Sequence, residues 1–562
     1  MIPVKAVLEA DLAVVGGGIG GLMAAISAAE AGAEKVIVLE KAHVRRSGSG
    51  ATGNDHFRCF LPEYHKTLDS ILHQTLNSPI GMTRDPVILR QSLEKSFELV
   101  RMWEEWGINM RPTGKYEFMG HAFPGRLRPS LKYDGRNQKA VLMTQAKKRG
   151  VRIFNHHPAL DLCVAEEDGA RRVTGVLALD MSVPEPAFVL VRAKTVLLAT
   201  GLTHRMYLTG PTPAYMFNTS HCPNCAGGQA LAWRAGARLV NMEIPYVHAG
   251  PKYFARAGKA TWIGVYRYPD GRPVGPFITR PDVVYGDITG DVWNSAFTDV
   301  LLDGSGPVYQ DCSGASSEEL AFMRGAMFSE GLSAMVHYMD EHELDPGKHA
   351  FEFMQYEPTF HGRGVEVKPD AETSVSGLFA AGDMVGNGGA GISPAAYLGW
   401  TGGEHAAKKA AVLSFTNIED DPALKERMEL FSSFLKREEG PDWKEANFAL
   451  QQIMSDYAPA GPHRVRSATL LRAGMEYLEQ LRAEAFSHLR AGCSHTLMRT
   501  GEVLDLLDCA RAVLHAALAR EESRAGHRRS DFRFTNPLLN SRQLNVWLEG
   551  GEVKTGFRDK WM

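Results

Sequence analysis

Three glycines near the N-terminus have the spacing of a phosphate-binding turn. Gly16, Gly18 and Gly21 form a G-x-G-x-x-G pattern that follows the apolar run 12–15 and precedes an Ala-rich stretch ending at Gly32. The short β-branched run predicts a buried strand, and the stretch behind the glycines predicts a helix. In such a turn the first glycine bends the chain, the second lets a pyrophosphate approach the backbone, and the third lets helix and strand pack closely.

A second apolar run, residues 36–39, delivers Glu40 at its end. An acidic side chain at this distance from the glycines accepts hydrogen bonds from a ribose diol, while the helix N-terminus offers N–H groups to phosphates. The whole arrangement predicts a dinucleotide-binding unit. The alternative is a membrane-spanning helix, because residues 12–29 carry no charge. Five glycines in that run, with Asp11 and Glu30 at its borders, argue against it.

The segment that follows, residues 42–57, is rich in serine and glycine and carries Arg46, Ser47, Asn54 and His56. A glycine-rich loop beside a nucleotide site brings backbone close to the ligand. We therefore expect this loop to contact the cofactor, with Asn54 and His56 near its reactive end. A solvent-exposed linker is the alternative interpretation.

Two later stretches each combine a buried strand with a small-residue turn. One spans residues 195–201 and the other residues 377–383. Open α/β sheets bind ligands at the carboxyl ends of their strands, so both turns should face one nucleotide. Such well-separated stretches suit a long dinucleotide and favour FAD over NAD. The candidate cofactor-binding residues are Gly16, Gly18, Gly20, Gly21, Glu40, Lys41, Arg46, Ser47, Gly48, Asn54, Ala199, Thr200, Gly201, Gly382 and Asp383.

Composition narrows the function class. The 562 residues are enough for two or three domains, and a net charge of −3 with 23% charged residues gives no sign of nucleic-acid binding. The chain enters its first strand almost at once, so we expect no signal peptide and no direct membrane insertion. Seven scattered cysteines indicate reduced thiols and a cytoplasmic location. Cys222 and Cys225 have C-x-x-C spacing, but no second ligand pair is visible, so packing or loop thiols are favoured over a redox disulfide or a metal.

Four separated segments resemble the flavoprotein subunit family of fumarate reductase, succinate dehydrogenase and adenylylsulfate reductase. They are VVGGGIGGLMAA with Glu40-Lys41, LLATG at 197–201, GLFAAGD at 377–383 and ESRAGHRRSDF at 522–532. Within the family, GPVYQDC at 306–312 and QYEPTFHG at 355–362 look closest to the adenylylsulfate reductase alpha subunit.

The resemblance implies an α/β fold with a split Rossmann-like FAD-binding domain, an inserted α+β capping domain and a C-terminal helical domain. The implied boundaries are 1–245 and 346–420 for the two parts of the FAD-binding domain, 246–345 for the capping domain, and 421–562 for the helical domain with a terminal β-hairpin.

The resemblance also implies an FAD-dependent oxidoreductase that exchanges two electrons with a small anionic substrate between the FAD-binding and capping domains. The catalytic candidates are Arg256, His248, Lys252 and His361, although Arg256 is equally well interpreted as a surface residue of the capping domain. The chain has no Cys-rich cluster motif, so the electrons would come from a separate iron–sulfur (ferredoxin-like) subunit, a free donor or a reduced flavin. An FAD-binding electron-transfer or scaffold subunit without its own substrate is the alternative.

Departures from the family pattern refine these expectations. Covalent members carry Arg-Ser-His after the Glu-Lys pair, whereas Gly48 follows Arg46-Ser47 here, so we expect noncovalent FAD. The dicarboxylate signatures His-Pro-Thr-Gly and His-Gly-x-x-Arg-Leu-Gly-Gly are replaced by residues 248–250 and by the glycine-rich loop 386–391. These replacements argue against fumarate or succinate as the substrate.

Overall fold

A computed structural model describes most of the chain. It excludes residues 52, 79–80, 120–125, 168, 209–226, 248, 253–261, 276–277, 285–299, 301–302, 356–357 and 461–464. The strands are β1 Val4–Val15, β2 Val36–Glu40, β3 His56–Arg58, β4 Ser130–Lys132, β5 Arg152–Asn155, β6 Ala159–Glu167, β7 Ala170–Asp180, β8 Ala187–Leu198, β9 Leu239–Val240, β10 Ala249–Pro251, β11 Val265–Arg267, β12 Val308–Asp311, β13 Phe351–Gln355, β14 Gly364–Val365, β15 Leu378–Ala380, β16 Arg542–Glu549 and β17 Glu552–Asp559.

The α-helices lie between these strands and behind them. They are α1 Ile19–Glu30, α2 Pro62–His65, α3 Leu68–Leu76, α4 Pro86–Glu105, α5 Gln138–Lys148, α6 Gln229–Arg234, α7 Ser317–Ser329, α8 Ser333–Glu341, α9 Ile392–Ala410, α10 Pro422–Lys436, α11 Trp443–Tyr457, α12 Ala468–His488 and α13 Ser494–Ala519. None of these described helices combines the length and apolar character that crossing a bilayer requires.

A seven-stranded sheet forms the centre of the fold, in the order β5-β2-β1-β8-β7-β6, with β15 also beside β8. β8 is long enough to pair twice along one edge, first with β7 in antiparallel orientation and then with β15 in parallel orientation. The pairs β5–β2, β2–β1 and β1–β8 are also parallel. The carboxyl ends of five strands therefore lie at one edge of the sheet, as the sequence pattern predicts.

The predicted roles of the first glycines agree with their backbone geometry. Gly16 has φ +99°, a conformation that side chains disfavour. A Cβ on Gly21 would lie 1.9 Å from the carbonyl oxygen of Gly16, so only glycine allows α1 to pack this closely on the turn. α9 in turn packs on α1, because a Cβ on Gly403 would lie 2.1 Å from the carbonyl oxygen of Ala24.

The inserted segment forms its own sheet, in the order β10-β13-β12-β11, with α7 and α8 beside it. Its hydrophobic core is separate from the main core and includes Trp262, Met327 and Phe353. β13 pairs with β10 and β12, so the boundary predicted at residue 345 falls inside this unit. We propose that the capping domain extends to Gln355.

Four helices, α10 to α13, follow α9, as the predicted fold class expects. The chain then ends in a hairpin, in which β16 and β17 are joined at Gly550 and Gly551, both with positive φ. The hairpin also pairs with β9, so a short sheet β14-β9-β16-β17 ties the end of the chain to the segment that leads into the capping domain.

Candidate active site

A cavity of about 410 Å³ lies at the carboxyl edge of the parallel strands. It begins where β1, β2, β8 and β15 end and continues to the capping domain. All of the candidate cofactor-binding residues line it except Gly21, which packs behind the turn: Gly16, Gly18, Gly20, Glu40, Lys41, Arg46, Ser47, Gly48, Asn54, Ala199, Thr200, Gly201, Gly382 and Asp383.

The middle of the cavity has the features of a pyrophosphate site. α1 begins at Ile19 with Gly18 as its N-cap, and no side chain caps its first N–H groups. These groups and the helix dipole favour a bound anion. Gly48, with φ +79°, lies against Gly18, and the buried hydroxyl of Ser47 has no hydrogen-bond partner among the described residues. The observed residues therefore fit the dinucleotide that the sequence predicts.

Glu40 lies at the end of β2, where the sequence predicts the ribose of the nucleotide. Its carboxylate is 5% exposed and accepts the backbone N–H groups of Gly17 and Ala42, each at 2.7 Å. A carboxylate has about four lone-pair positions, so both oxygens retain capacity for a ribose diol.

Helix α13 forms the opposite wall of this end through Glu502 and Asp505. Lys41 pairs with Glu502 at 2.7 Å. Burial disfavours ionisation of Glu502, but Lys41, Arg205 and Arg499 outweigh it, so the pKa of this carboxyl lies well below its ordinary value. An ionised Glu502 therefore fixes the loop after β2 to the C-terminal helical region.

Three arginines from separate elements converge at the other end of the cavity. Arg58 lies in β3, Arg84 precedes α4 and Arg363 precedes β14. Arg84 and Arg363 are buried, and Arg58 is half-buried. Arg363 donates hydrogen bonds to the backbone oxygens of Ile244 and Gly362, at 2.6 and 2.7 Å. The Nη1 atoms of Arg58 and Arg84 are buried without a hydrogen-bond partner in the described parts of the chain.

The electrostatics of this arginine cluster (Arg58, Arg84 and Arg363) favour an anion. Burial lowers the pKa of Arg84 well below its ordinary value, and the charges of Arg58 and Arg363 lower it further. Burial also lowers the pKa of Arg58, and it lowers the pKa of Arg363 to about 10 although Glu243 and Tyr246 partly offset it. Because desolvated like charges repel, a bound anion would stabilise all three guanidinium groups.

The glycine-rich loop 386–391 makes room for one of these arginines. A Cβ on Gly389 would lie 3.1 Å from Nε and 3.2 Å from Cζ of Arg84. The loop contains no arginine of its own, but the guanidinium of Arg84 packs against it. Arg84 is supplied by an element far away in sequence.

Two histidines with carboxylate partners also line the cavity. His361 Nε2 lies 3.3 Å from Asp383 Oδ1, which also accepts the Gly391 N–H at 2.8 Å. His56 Nδ1 lies 2.7 Å from Asp55 Oδ1. Asp55, His56 and Glu330 place three potential metal ligands within 4.8 Å of one another. Lys132 Nζ already lies 2.6 Å from Asp55 Oδ2 and supplies the positive charge, so we assign no metal there.

The other catalytic candidates are Lys252, Arg256 and His248, and the structure describes only Lys252. Lys252 is not among the cavity-lining residues, because its ammonium lies 2.6 Å from Glu352 in the capping sheet. Arg256 and His248 lie outside the described residues, as do Cys222 and Cys225.

Sequence reasoning did not select the arginine cluster. Each of its members is a single arginine in an irregular or short segment, with no spacing pattern that links it to the others. A partial signal was present in β3: strand alternation places Arg58 on the same face as His56, which we did predict near the cofactor.

Comparison with known proteins agrees with this geometry. The family described as FAD binding domain matches residues 11–397, and the family described as Fumarate reductase flavoprotein C-term matches residues 448–551. The flavoprotein component of a fumarate reductase from Serratia sp. is 26% identical, with 93% of this chain and 89% of that protein covered. The fumarate reductase (CoM/CoB) of Methanothermobacter marburgensis contains a chain that is 25% identical, with 94% and 95% covered.

Two solved structures share the fold over nearly their whole length. Adenylylsulfate reductase from Archaeoglobus fulgidus has a TM-score of 0.82 at 21% identity, with 100% of this chain and 96% of that chain covered. Quinol fumarate reductase from E. coli has a TM-score of 0.82 at 20% identity, with 99% and 98% covered. The chain belongs to the flavoprotein family of fumarate reductase and succinate dehydrogenase subunits, and it is an FAD-dependent oxidoreductase.

Proposed function

We propose that this oxidoreductase acts on a small anionic substrate held by the arginine cluster. The observation that supports the proposal is the buried, unpartnered Nη1 of both Arg58 and Arg84 at the capping end of the cavity, within the described structure. Three guanidinium groups suit a compact anion, such as a dicarboxylate, a sulfonate or a phosphate. A protein without its own substrate would have no use for so much buried positive charge, so the arginine cluster favours the enzyme over the scaffold alternative.

Bound FAD would supply two-electron redox chemistry at its flavin ring. Residues of this chain would supply the rest. Gly16, Gly18 and Glu40 bind the nucleotide, and the arginine cluster orients the substrate and compensates its charge. We propose that the FAD is noncovalent, because Gly48 offers no side chain for a bond to the flavin.

We also propose that an iron–sulfur subunit exchanges electrons with the FAD. The relatives from Serratia and Methanothermobacter are named as subunits, and this chain contains no Cys-rich cluster motif. Co-purification of the native protein with an iron-containing partner would support this part of the proposal. Recovery of an active protein without iron would contradict it.

Reoxidation of the reduced flavin by single compounds tests the substrate class. The holoprotein is photoreduced without oxygen and mixed with fumarate, adenylylsulfate and a panel of other carboxylates, sulfonates and phosphates. We expect one of these anions to restore the oxidised spectrum, and we expect Arg84→Gln to weaken its binding roughly tenfold to a hundredfold.

Arg90→Gln is the matched control. Arg90 lies in α4, has a side chain that is 43% exposed and pairs with Asp69, so its loss should leave reoxidation unchanged. Reoxidation by a partner protein but by none of the anions would contradict the proposal and support the scaffold alternative.

A further inference from the structure

Strand β3 presents an imidazole and a guanidinium side by side in the cavity. Successive side chains of a strand alternate between its faces. Phe57 is buried, with its ring 5.3 Å from that of Trp103 and 6.2 Å from that of Tyr133. His56 and Arg58 therefore share the opposite face, and both line the cavity. The imidazole thus stands next to the anion site that the arginine cluster forms.

Asp55 fixes the orientation of this imidazole. The carboxylate is 2% exposed; its Oδ1 lies 2.7 Å from His56 Nδ1 and its Oδ2 accepts Lys132 Nζ at 2.6 Å. Burial disfavours the charged carboxylate, but Lys132 and His56 outweigh burial and hold the pKa of Asp55 well below its ordinary value. An ionised carboxylate only accepts hydrogen bonds, so Nδ1 carries the proton of the neutral ring and Nε2 is the nitrogen that a second proton would occupy.

The capping domain brings a second carboxylate to the same imidazole. Glu330 follows α7, lines the cavity, and has Oε1 3.8 Å from His56 Nδ1. The two domains are in tight contact here, since a Cβ on Gly53 would lie 2.1 Å from the carbonyl oxygen of Ser329. The charged groups that face His56 are thus Asp55 from its own loop, Lys132 from β4, Arg58 from β3 and Glu330 from the capping domain.

We propose that His56 is the catalytic acid–base of this site, with Asp55 as its positioning residue; the inference rests on the proposed function. In the oxidation direction a substrate loses a proton and a hydride. His56 Nε2 would accept that proton in the oxidation direction and return it in the reduction direction, and bound FAD would supply the two-electron chemistry that takes up or gives back the hydride. Atoms and electrons balance without any further reactant.

Proton uptake on anion binding gives a test that does not depend on turnover. Oxalate is the probe, because it remains a dianion between pH 5.5 and 8.5. A dianion beside an imidazole should bind the protonated, charged form of the ring more tightly than the neutral form. We expect oxalate affinity to fall roughly fivefold or more from pH 5.5 to 8.5 in the wild-type holoprotein. Calorimetry in two buffers of different ionisation enthalpy should show net proton uptake near pH 7.

His56→Gln should abolish both the pH dependence and the proton uptake while it retains FAD and oxalate binding at pH 8.5. His56→Asn replaces it if the glutamine variant loses FAD. Asp55→Asn should keep oxalate binding but change the pH at which uptake is greatest. A structural role for Asp55 would not move that pH. His361→Gln is the comparator and should keep the uptake.

The outcomes separate this inference from the proposed function. If wild type does not bind oxalate, or if Arg84→Gln binds it equally well, the anion site itself is wrong. If binding depends on Arg84 but His56→Gln keeps the proton uptake, or His361→Gln loses it, the assignment of His56 is wrong. With the anion that reoxidises the flavin, His56→Gln should also slow reoxidation at least a hundredfold.

Discussion

At the scale of single residues, the proposed cofactor end and the proposed substrate end of the cavity differ in how many of their polar groups have hydrogen-bond partners. The Glu40 carboxylate accepts two backbone N–H groups, which hold it in place without any ligand. The Nη1 atoms of Arg58 and Arg84 have no such partners in the described structure. Glu40 can be predicted from a local sequence motif, whereas the arginine cluster becomes recognisable only in the folded chain.

Replacing Glu40 by alanine should weaken FAD binding by roughly 1–3 kcal/mol, because the ribose hydroxyls would lose their acceptor and the N–H groups of Gly17 and Ala42 would lose theirs. The fold should survive, since the residue ends a strand. Flavin occupancy after dialysis is the measurement. Glu34→Ala, an exposed residue in the loop before β2, is the control. Occupancy equal to wild type would remove Glu40 from the site.

The glycine at position 48 predicts that FAD is bound without a covalent link to this residue. Because glycine has no side chain that can form a covalent link, acid precipitation should release yellow FAD into the supernatant. Absorbance of the two fractions near 450 nm measures this directly. Flavin that stays in the protein pellet would show a covalent attachment at another residue.

At the scale of elements, the sequence predicts what is local and periodic. The strands of the parallel sheet, the turn at Gly16 and the terminal hairpin each carry their signal within a few residues. The arginine cluster is different, because β3, the segment before α4 and the segment before β14 are distant in sequence and meet only through tertiary packing. The segment ESRAGHRRSDF, by contrast, is easily recognised in the sequence but contributes no histidine to the cavity. Its His527 is buried against Arg466 and does not line the cavity.

The packing of α9 on α1 links stability to cofactor binding. Gly403→Ala would place a methyl group 2.1 Å from the carbonyl oxygen of Ala24, which forces the helices apart and should cost about 1–3 kcal/mol. Because we propose that the N-terminus of α1 binds the pyrophosphate, FAD affinity should fall together with the melting temperature.

Gly325→Ala is the matched control for that substitution. Gly325 lies inside α7, and a Cβ there would meet no atom within 4 Å. The helix should gain about 0.5–1 kcal/mol from the alanine. A Gly403→Ala protein that melts and binds FAD like wild type would show that the two helices can separate without cost.

At the scale of the whole molecule, one cavity is lined by residues from parts of the chain that lie far apart in the sequence. The parallel sheet supplies its floor, α13 its wall near Glu40, and the capping domain Glu330 at the far end. A ligand that fills the whole cavity therefore contacts all three parts. Its binding should stabilise them together, and shorter ligands should stabilise only the parts that they reach.

The apoprotein should therefore respond differently to three nucleotides. FAD at a hundredfold excess over its dissociation constant should add about 2.7 kcal/mol to the free energy of unfolding. FMN lacks the adenosine that would lie between Glu40 and α13, and NAD lacks the flavin ring, so each should raise the melting temperature less than FAD at the same concentration. Thermal melts monitored by circular dichroism measure the three shifts. If NAD stabilises the apoprotein as much as FAD, the cavity does not distinguish the two nucleotides. The two separated turns at the strand ends would then no longer favour FAD over NAD.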